Sequence, residues 1–554
     1  MRDQRPSDMS PVQIGFTPQK PVPWLNPGLL AGTAVRVALA HLFGGYLDKR
    51  ELQAVLPSAV DDHSGAEELW IDYVADLGDG FDATYSIAHL LARESLTVDG
   101  TDLPRADAVV LGGDQVYPTA SVTDYENRFK GPYRAAFPPQ PGQPSHAAPT
   151  MYAVPGNHDW YDGLTAFLRL FAQNDPIGGW QTSQRRSYFA VALPHRWWLL
   201  AIDVQLASYI DEPQLEYFRQ VASQLGPDDR IVLCSAKPGW VQTIDDPQAY
   251  DNLDYFVRTV IEPTGARVPL LLAGDLHHYT RYAGDDTDGR PRHLVTCGGG
   301  GAYLVGTAHL PEAVSVPPET TTDREASKPR QYRLESAYPD RKRSRRLGRG
   351  ILTKLPRRNP GFVALLGVMQ TLWMLALLTA DGGWLNGAVG VTGAGVVAGT
   401  LLFATALGTR GRRQWICGAL HAVPHLALGL VGAAAWSALP LADAPSPWDT
   451  VLAFVVYLPV AGLVDTWIVG VYMLLARYVR VNVNELYAGM GITDYKSFVR
   501  MHIGTDGSLT LHPIAVERVC RRWHADPDAP AAASWIAPVE PLRPSRVEPP
   551  VTLS

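Results

Sequence analysis

Strand-like apolar runs in the first half of the chain end in Asp or Asn where each run meets a loop. The residues are Asp76, Asp114, Asn157 and Asp275. Because the carboxyl ends of strands in an α/β sheet meet in one crevice, we expect these side chains to be neighbours despite their separation in sequence. Together with the imidazole of His277, these oxygen donors suit Mg, Mn, Fe or Zn ions held near phosphate. The pattern therefore outlines a metal site.

The local sequences around these residues are more specific than their convergence. They read VVLGGDQVYP, VPGNHDWYDG and LLAGDLHHY. In this order they resemble the GD, GNHD and GHxH signatures of the calcineurin-like metallophosphoesterases, over roughly residues 68 to 310. The apolar region that follows, with DYKSFVRMHI and GSLTLHPI behind it, resembles a membrane-bound branch of that superfamily.

The resemblance implies a set of ligands for two divalent ions. Asp114 matches the carboxylate that bridges both ions, and Asp76 and His277 match ligands of the first ion. Asn157 matches a ligand of the second ion, to which Asp275 would add a carboxylate. Such a pair of ions activates a water molecule for in-line attack on a phosphoester.

The resemblance also implies catalytic residues. His158 matches the histidine that is not a ligand and that steadies the phosphoryl group or protonates the leaving oxygen, with Asp159 orienting its ring. Candidate phosphate-binding residues are Arg128, Lys237 and His309. The alternative for Arg128 is a surface salt bridge, and the alternative for Lys237 is a solvated loop charge.

The sequence departs from the family pattern at three positions. Gly78, Ala236 and Asp275 stand where the family has histidines. Two explanations compete: a site with oxygen-rich ligands that prefers Mn or Mg, with Fe or Zn as alternatives, or a silent site that binds a metal or nucleotide and regulates a membrane partner. Asp79 and Asp82 would add carboxylates to the first kind of site, unless they are solvated loop charges.

A run of four glycines follows Cys297. Because glycine has no side chain, the run would let the backbone approach a substrate closely. A tight structural turn is the alternative, and the family resemblance places the run near the rim of the site.

Four long apolar runs occupy 362–380, 388–407, 415–441 and 451–476. Each approaches or exceeds the roughly 20 residues that cross hydrocarbon. Lys and Arg are concentrated before the first run, between the second and third and after the fourth, so the positive-inside rule predicts a multi-pass protein of the cell (plasma) membrane with cytoplasmic N- and C-termini. Within these runs, Asp465, His421 and His425 would pair with one another or line a polar path. The alternative is a purely structural contact between helices.

The expected fold class is α/β, a metallophosphoesterase-type layered β-sandwich flanked by helices, followed by a four-helix transmembrane region. The expected boundaries are a disordered leader and N-terminal helix at 1–64, the metallophosphoesterase domain at 65–335, a basic juxtamembrane linker at 336–360, the spans at 361–479, a cytoplasmic segment at 480–525 and a disordered tail at 526–554.

Composition limits the remaining function classes. A net charge of −7 argues against nucleic-acid binding, and the four cysteines show no paired spacing. We therefore expect a membrane-anchored phosphoesterase that hydrolyses a phosphomonoester or phosphodiester, lipid-linked or soluble, at the cytoplasmic face. Its expected partners are this substrate and the bilayer. A transporter with an appended domain is the third hypothesis.

Overall fold

The computed structural model describes residues 14–43, 53–57, 59–140, 142, 148–204, 209–286, 289–319, 326–379, 387–405, 411–443, 445, 447–525 and 533–554. The chain divides into two compact units. The first unit contains Met1–Val22, Thr33–Arg341 and Thr493–Ser554, and the second contains Pro23–Gly32 and Lys342–Ile492.

The strands all lie in the first unit. In chain order they are β1 Asp61–Asp62, β2 Leu69–Val74, β3 Ser95–Val98, β4 Thr101–Pro104, β5 Ala108–Leu111, β6 Thr150–Ala153, β7 Gln181–Thr182, β8 Phe189–Leu193, β9 Trp197–Ile202, β10 Arg230–Ser235, β11 Arg267–Ala273, β12 Tyr279–Asp285, β13 Pro291–Cys297, β14 Ala313–Val316, β15 Arg330–Tyr338, β16 Lys496–Ile503, β17 Leu509–Val516, β18 Trp523–Ala525, β19 Ile536–Pro538, β20 Pro544–Arg546 and β21 Val551–Leu553.

The α-helices are distributed over both units. In chain order they are α1 Pro27–Phe43, α2 Phe81–Leu91, α3 Val122–Tyr125, α4 Gly131–Ala136, α5 Asn157–Trp160, α6 Thr165–Phe171, α7 Glu212–Ala222, α8 Gly239–Gln242, α9 Asp251–Phe256, α10 Arg341–Gly348, α11 Ile351–Arg358, α12 Pro360–Leu378, α13 Gly387–Thr405, α14 Arg412–Ser437, α15 Trp448–Leu452, α16 Leu458–Ala476 and α17 Val483–Ala488.

Two large sheets form the first unit. One has the order β20-β17-β16-β2-β5-β6-β7, with β21 also paired to β17, and the other has the order β1-β8-β9-β10-β11-β13-β12-β15-β14. β2, β5 and β6 are parallel neighbours, and so are β9, β10 and β11. Mostly apolar runs form these strands because both of their faces are buried, and Asp72 in β2 is a buried charged exception.

The sheets pack face to face, with helices on the outer faces. One buried cluster joins Ile71 and Val110 of the first sheet to Leu199 and Leu270 of the second. Other clusters place α2, α4 and α6 against the outer face of the first sheet and α7 and α9 against that of the second. The predicted layered β-sandwich flanked by helices is therefore confirmed.

The segment that follows the second unit returns to complete the first sheet. β16 pairs with β2 on one side and with β17 on the other, and both pairings are antiparallel. The domain is therefore discontinuous in sequence and does not end near residue 335.

The expectation of a disordered tail is wrong for residues 533–554. β20 and β21 both pair with β17, and the side chains of Ile536 and Leu553 are buried. The proline-rich composition misled the prediction because Pro544 opens an edge strand, where a missing N–H is tolerated. Residues 526–532 lie outside the described residues.

The expectation of a disordered leader also needs correction where the structure describes it. Ile14, Phe16 and Val22 are buried, and Phe16 packs against Phe81 with ring centroids 6.0 Å apart. β1 joins the second sheet beside β8. Residues 1–13 and 44–52 lie outside the described residues, and the predicted N-terminal helix is α1.

Four helical segments of the second unit are long and apolar enough to cross a membrane. They are Pro360–Leu378, Gly387–Thr405, Arg412–Ser437 and Trp448–Val479. They match the four predicted runs and support a membrane protein. The basic stretch before the first of them forms the helices α10 and α11.

A polar chain links α14 to α16 inside this helical region. The Asp465 carboxylate lies 2.6 Å from Nδ1 of His425, and Nε2 of His425 lies 2.8 Å from Nε2 of His421. All three side chains are buried. Their predicted mutual pairing is therefore confirmed, and these contacts connect two of the candidate spans.

Candidate functional site

The predicted ligands follow the carboxyl ends of neighbouring strands. Asp76 and Asp114 come just after β2 and β5, Asn157 begins α5 after β6, and Asp275 comes just after β11 of the other sheet. The backbone N–H of Asp275 donates to the Asp76 carboxylate at 2.8 Å. The sandwich therefore brings residues from both sheets to one place.

The backbone is strained at this place. Asp76, Asp114, Asp275 and His277 all have positive φ, at 60°, 50°, 69° and 50°. This left-handed region costs a residue other than glycine on the order of 1–3 kcal/mol, and such residues cluster at functional sites. Four of the five predicted ligands are therefore held in costly conformations by the fold around them.

Tyr117 is a site residue that the sequence reasoning missed. Its buried hydroxyl lies 3.0 Å from Oδ1 of Asp76, 3.2 Å from Oδ2 of Asp114 and 3.1 Å from Nε2 of His277. The signal was present in GGDQVYP, where Tyr117 comes three residues after Asp114. A tyrosine so close to a candidate ligand at the end of a strand can reach the same crevice.

The donor set fits a divalent cation once the phenol oxygen is counted. In the part of the chain that the structure describes, no group of three His, Cys, Asp or Glu side chains has the arrangement of a metal site. The hydroxyl oxygen of Tyr117 lies at the centre of the candidate ligands, because Asp76, Asp114 and His277 are all within 3.2 Å of it. One hydroxyl proton cannot satisfy all three neighbours, so the site holds more acceptors than Tyr117 can serve.

The charges of the site are strongly perturbed. Burial, with the nearby carboxylates of Asp114 and Asp275, raises the pKa of Asp76 well above its usual value. Burial also lowers the pKa of His277 well below its usual value, and so favours the neutral imidazole that a metal requires. Clustered buried carboxylates are stabilised in their charged form by a bound cation.

The second group of predicted ligands lies beside the first. Burial raises the pKa of Asp275, and the ammonium group of Lys237 opposes this shift. Gln242 donates to Oδ2 of Asp275 at 2.7 Å. The amide nitrogen of Asn157 donates to the Tyr161 hydroxyl at 2.8 Å, which fixes the orientation of the amide.

The ring of His158 is fixed by a backbone carbonyl. Nδ1–H of His158 donates to the carbonyl oxygen of Pro118 at 2.6 Å, and the ring packs edge-on against Tyr117. The side chains of His158 and Lys237 both interact electrostatically with the Asp275 carboxylate. Since a carbonyl can only accept, Nδ1 of His158 carries the proton of this hydrogen bond.

The expectation that Asp159 orients the His158 ring is wrong. The buried Asp159 carboxylate accepts from the backbone N–H of Gly156 at 2.8 Å and of Gln115 at 3.3 Å, and it also accepts from the Tyr125 hydroxyl. It therefore fixes the turn that carries Asn157 and His158. The family resemblance implied a ring contact, but the first turn of α5 directs the carboxylate towards backbone donors.

Two further predicted residues lie on the edges of the site. The Arg128 guanidinium donates to the backbone carbonyls of Asp79 and Lys20 and lies 3.5 Å from the Asp124 carboxylate. His309 lies near His278, whose Nδ1–H donates to the Val305 carbonyl at 3.1 Å. The Arg128 side chain is 11% exposed and makes one ion pair, with Asp124, besides its two bonds to backbone carbonyls.

Asp79 and Asp82 are not solvated loop charges. The Asp79 carboxylate is 1% exposed and accepts from the backbone N–H groups of Val22 and Tyr303 at 2.8 and 3.1 Å. Asp82 accepts from the Trp523 indole at 2.9 Å. Both carboxylates hold neighbouring segments of the protein in place.

The glycine run packs against the loop that carries Asp76. A Cβ atom at Gly298 would lie 2.3 Å from Oδ2 of Asp76, and one at Gly301 would lie 2.0 Å from the Leu77 carbonyl oxygen. The close approach is therefore between two segments of the protein.

Comparison with known families agrees with this geometry. Residues 69–279 match the model of the calcineurin-like phosphoesterase family. These residues form a calcineurin-like phosphoesterase domain, and divalent metals are general ligands of that family. No curated protein matches the chain.

Proposed function

We propose that the protein is a membrane-anchored phosphoesterase that hydrolyses a phosphomonoester or phosphodiester by a two-metal mechanism at the cytoplasmic face. The observation that carries the proposal is the meeting of Asp76, Asp114 and His277 around one oxygen, with His158 fixed beside them. A family match to phosphoesterases supports the chemical class.

The residues present would hold two ions through mostly oxygen donors. Asp76, Asp114, His277 and Tyr117 would hold one ion, and Asp114, Asn157 and Asp275 would hold the other. Such ions, when bound, supply charge neutralisation and an activated water for in-line attack. A donor set with one imidazole favours Mn or Mg over Zn.

The chain itself supplies orientation and a proton donor. Because Nδ1 of His158 donates to the Pro118 carbonyl, Nε2 is the ring nitrogen that would contact a phosphoryl or leaving oxygen. A protonated Nε2 would deliver its proton to the departing oxygen, which is worth about 10²–10⁴-fold in rate. Lys237 interacts electrostatically with Asp275. Its ammonium group would attract the negatively charged phosphate of the substrate.

The proposed orientation rests on the topology of the first sheet. β2 precedes the four candidate spans and β16 follows them, yet they pair with each other. An even number of crossings returns the chain to the side from which it left. Since basic residues also flank this side, we place the domain in the cytoplasm.

Hydrolysis by the full-length protein in detergent tests the proposal. Mn²⁺-dependent turnover of an aryl phosphate and an aryl phosphodiester should be lost in Asp114→Asn and should fall by about 10²–10⁴-fold in His158→Ala. The exposed Asp228 provides a matched control, and Asp228→Asn should be fully active. Undiminished turnover in both site variants would refute the assignment.

A silent metal- or nucleotide-binding domain is the second candidate. It is favoured by the three positions, Gly78, Ala236 and Asp275, at which the sequence lacks the histidines of the family pattern. This candidate predicts Mn²⁺ retention with no turnover of any phosphoester, including lipid phosphates.

A further inference from the structure

One segment joins the two loops that carry the candidate ligands. The backbone N–H of Ala302 donates to the Asp76 carbonyl at 2.9 Å, and that of Val305 donates to the His277 carbonyl at 3.4 Å. We name residues 298–305, which include the glycine run, the bridging segment. The positions of both ligand loops therefore depend on where the bridging segment lies.

The beginning of β16 holds the bridging segment from the other side. The ammonium group of Lys496 donates to the Ala302 carbonyl, and the backbone N–H of Ser497 donates to the Gly299 carbonyl at 3.1 Å. Lys496 is fully buried. Ala302 thus lies between Asp76 and Lys496, bonded through its N–H to one and through its carbonyl to the other.

Lys496 also brings a positive charge to carboxylates of the site. The carboxylates of Asp79, Asp494 and Asp76 all interact with it electrostatically. Asp79 in turn accepts from the backbone N–H of Tyr303, in the bridging segment. A buried ammonium is costly unless other groups compensate it, and Lys496 has both a hydrogen bond to Ala302 and the attraction of these carboxylates.

We infer that Lys496 is a positioning residue for the candidate site, because it fixes the bridging segment that sets the distance between the loops of Asp76 and His277. This inference rests on the proposed function for its catalytic consequence. Lys496 lies beyond the four candidate spans. The site is therefore complete only after the chain has passed through the membrane region and its last segment has joined the sheet.

The test compares Lys496→Met with Val499→Ala in the full-length protein. Methionine keeps an unbranched side chain and removes the charge and the donors. Val499 is buried on the same strand, and its truncation lowers stability without touching the bridging segment. Arg518→Met, at an exposed position of the same returning segment, is the charge control.

Three quantities are measured at a temperature where all variants are folded: Mn²⁺ affinity, kcat and KM for an aryl phosphate, and hydrogen exchange of residues 298–305. Lys496→Met should lose about 10–100-fold in Mn²⁺ affinity, the range typical of residues that orient ligands. It should lose kcat more than it raises KM, and exchange in the bridging segment should accelerate. Val499→Ala and Arg518→Met should leave all three quantities near wild type.

Two results would overturn the inference. One is unchanged Mn²⁺ affinity and unchanged exchange in Lys496→Met, and the other is an equal loss in Val499→Ala, which would make Lys496 a stabilising residue only. Hydrogen exchange needs neither metal nor turnover. If wild-type protein hydrolyses no phosphoester, the proposed function fails, while exchange and Mn²⁺ affinity still decide the role of Lys496.

Discussion

Arg500 and Asp72, separated by 428 residues, form a fully buried two-pronged ion pair. Nε and Nη2 of Arg500 lie 2.8 and 2.7 Å from the two carboxylate oxygens of Asp72, and both side chains are 0% exposed. The remaining donor, Nη1, reaches the carbonyls of Leu103 and Pro104. The pair fastens the segment after the membrane region to the first long strand of the phosphoesterase domain.

Removal of one member of this pair should destabilise the domain strongly. Arg500→Met leaves the Asp72 carboxylate buried without its cation, which costs about 3–5 kcal/mol of unfolding free energy. The double variant Arg500→Met with Asp72→Leu should be less destabilised than the single variant. Denaturant unfolding in detergent measures both.

The exposed pair Arg522–Glu540 is the control for that experiment. Its side chains are 52% and 73% exposed, and exposed pairs contribute about 0–1 kcal/mol. An Arg500→Met domain as stable as the Arg522→Met control would contradict the importance of the buried pair.

The layered fold and the convergence of the candidate ligands could be predicted from the sequence, but the long-range closure of the sheet could not. Each of Asp76, Asp114 and Asp275 follows an apolar run, which is a local signal. The insertion of β16 beside β2 depends on pairing between distant segments. The local sequence of a strand does not show which distant strand it pairs with. The tail was misjudged for the same reason.

The orientations of side chains within the site were also beyond the sequence. The GNHD motif places Asp159 next to His158, but the ring is held by Pro118 and the carboxylate by backbone donors. The position of Tyr117, three residues after Asp114, showed that its phenol could reach the site. Only the distances to Asp76, Asp114 and His277 show that its oxygen lies among the candidate ligands.

Tyr117→Phe should weaken metal binding while preserving the fold. The substitution removes the oxygen that lies within 3.2 Å of Asp76, Asp114 and His277. We expect Mn²⁺ affinity to fall by about 10–100-fold, as measured by equilibrium titration of metal-depleted protein. Tyr133→Phe is the control, because the buried Tyr133 hydroxyl has no hydrogen-bond partner among the described residues. Equal affinities in both variants would exclude Tyr117 from the ligand set.

Gly298→Ala should disturb the site more than the fold as a whole. Its Cβ would lie 2.3 Å from the Asp76 carboxylate and 2.7 Å from the His277 backbone nitrogen, so one of these groups must move. We expect a large loss of kcat together with about 1–3 kcal/mol of overpacking strain. Gly65→Ala, where no atom lies within 4 Å of the new Cβ, should change neither quantity. Full activity in Gly298→Ala would show that the loops of Asp76 and His277 can move without loss of catalysis.

Acid should destabilise the domain through buried histidines such as His293. Burial and the nearby Arg281 guanidinium lower the pKa of His293 to about 4, from 6.5. The contribution of neutral His293 to the free energy of unfolding is fully present above pH 6.5. It is lost as the pH falls towards 4, because His293 takes up a proton in the unfolded chain at a higher pH than in the folded domain. The loss reaches about 3 kcal/mol. His293→Gln keeps an acceptor for Arg281 and should flatten this limb of the pH–stability curve, whereas superimposable curves would contradict the assignment.

The polar chain between α14 and α16 predicts a difference between single and double variants of the membrane region. His425→Leu leaves the Asp465 carboxyl group buried without its imidazole partner. An ordinary interhelical hydrogen bond in a membrane contributes about 0.6 kcal/mol, but an unpaired buried charge costs about 3–5 kcal/mol. The second effect should dominate, so His425→Leu should lower the unfolding temperature in detergent well below that of the double variant with Asp465→Leu. Thr392→Val, which removes only a bond within one helix, is the control. A double variant less stable than His425→Leu would contradict this. It would show that the main cost is the lost interaction and not an unpartnered Asp465.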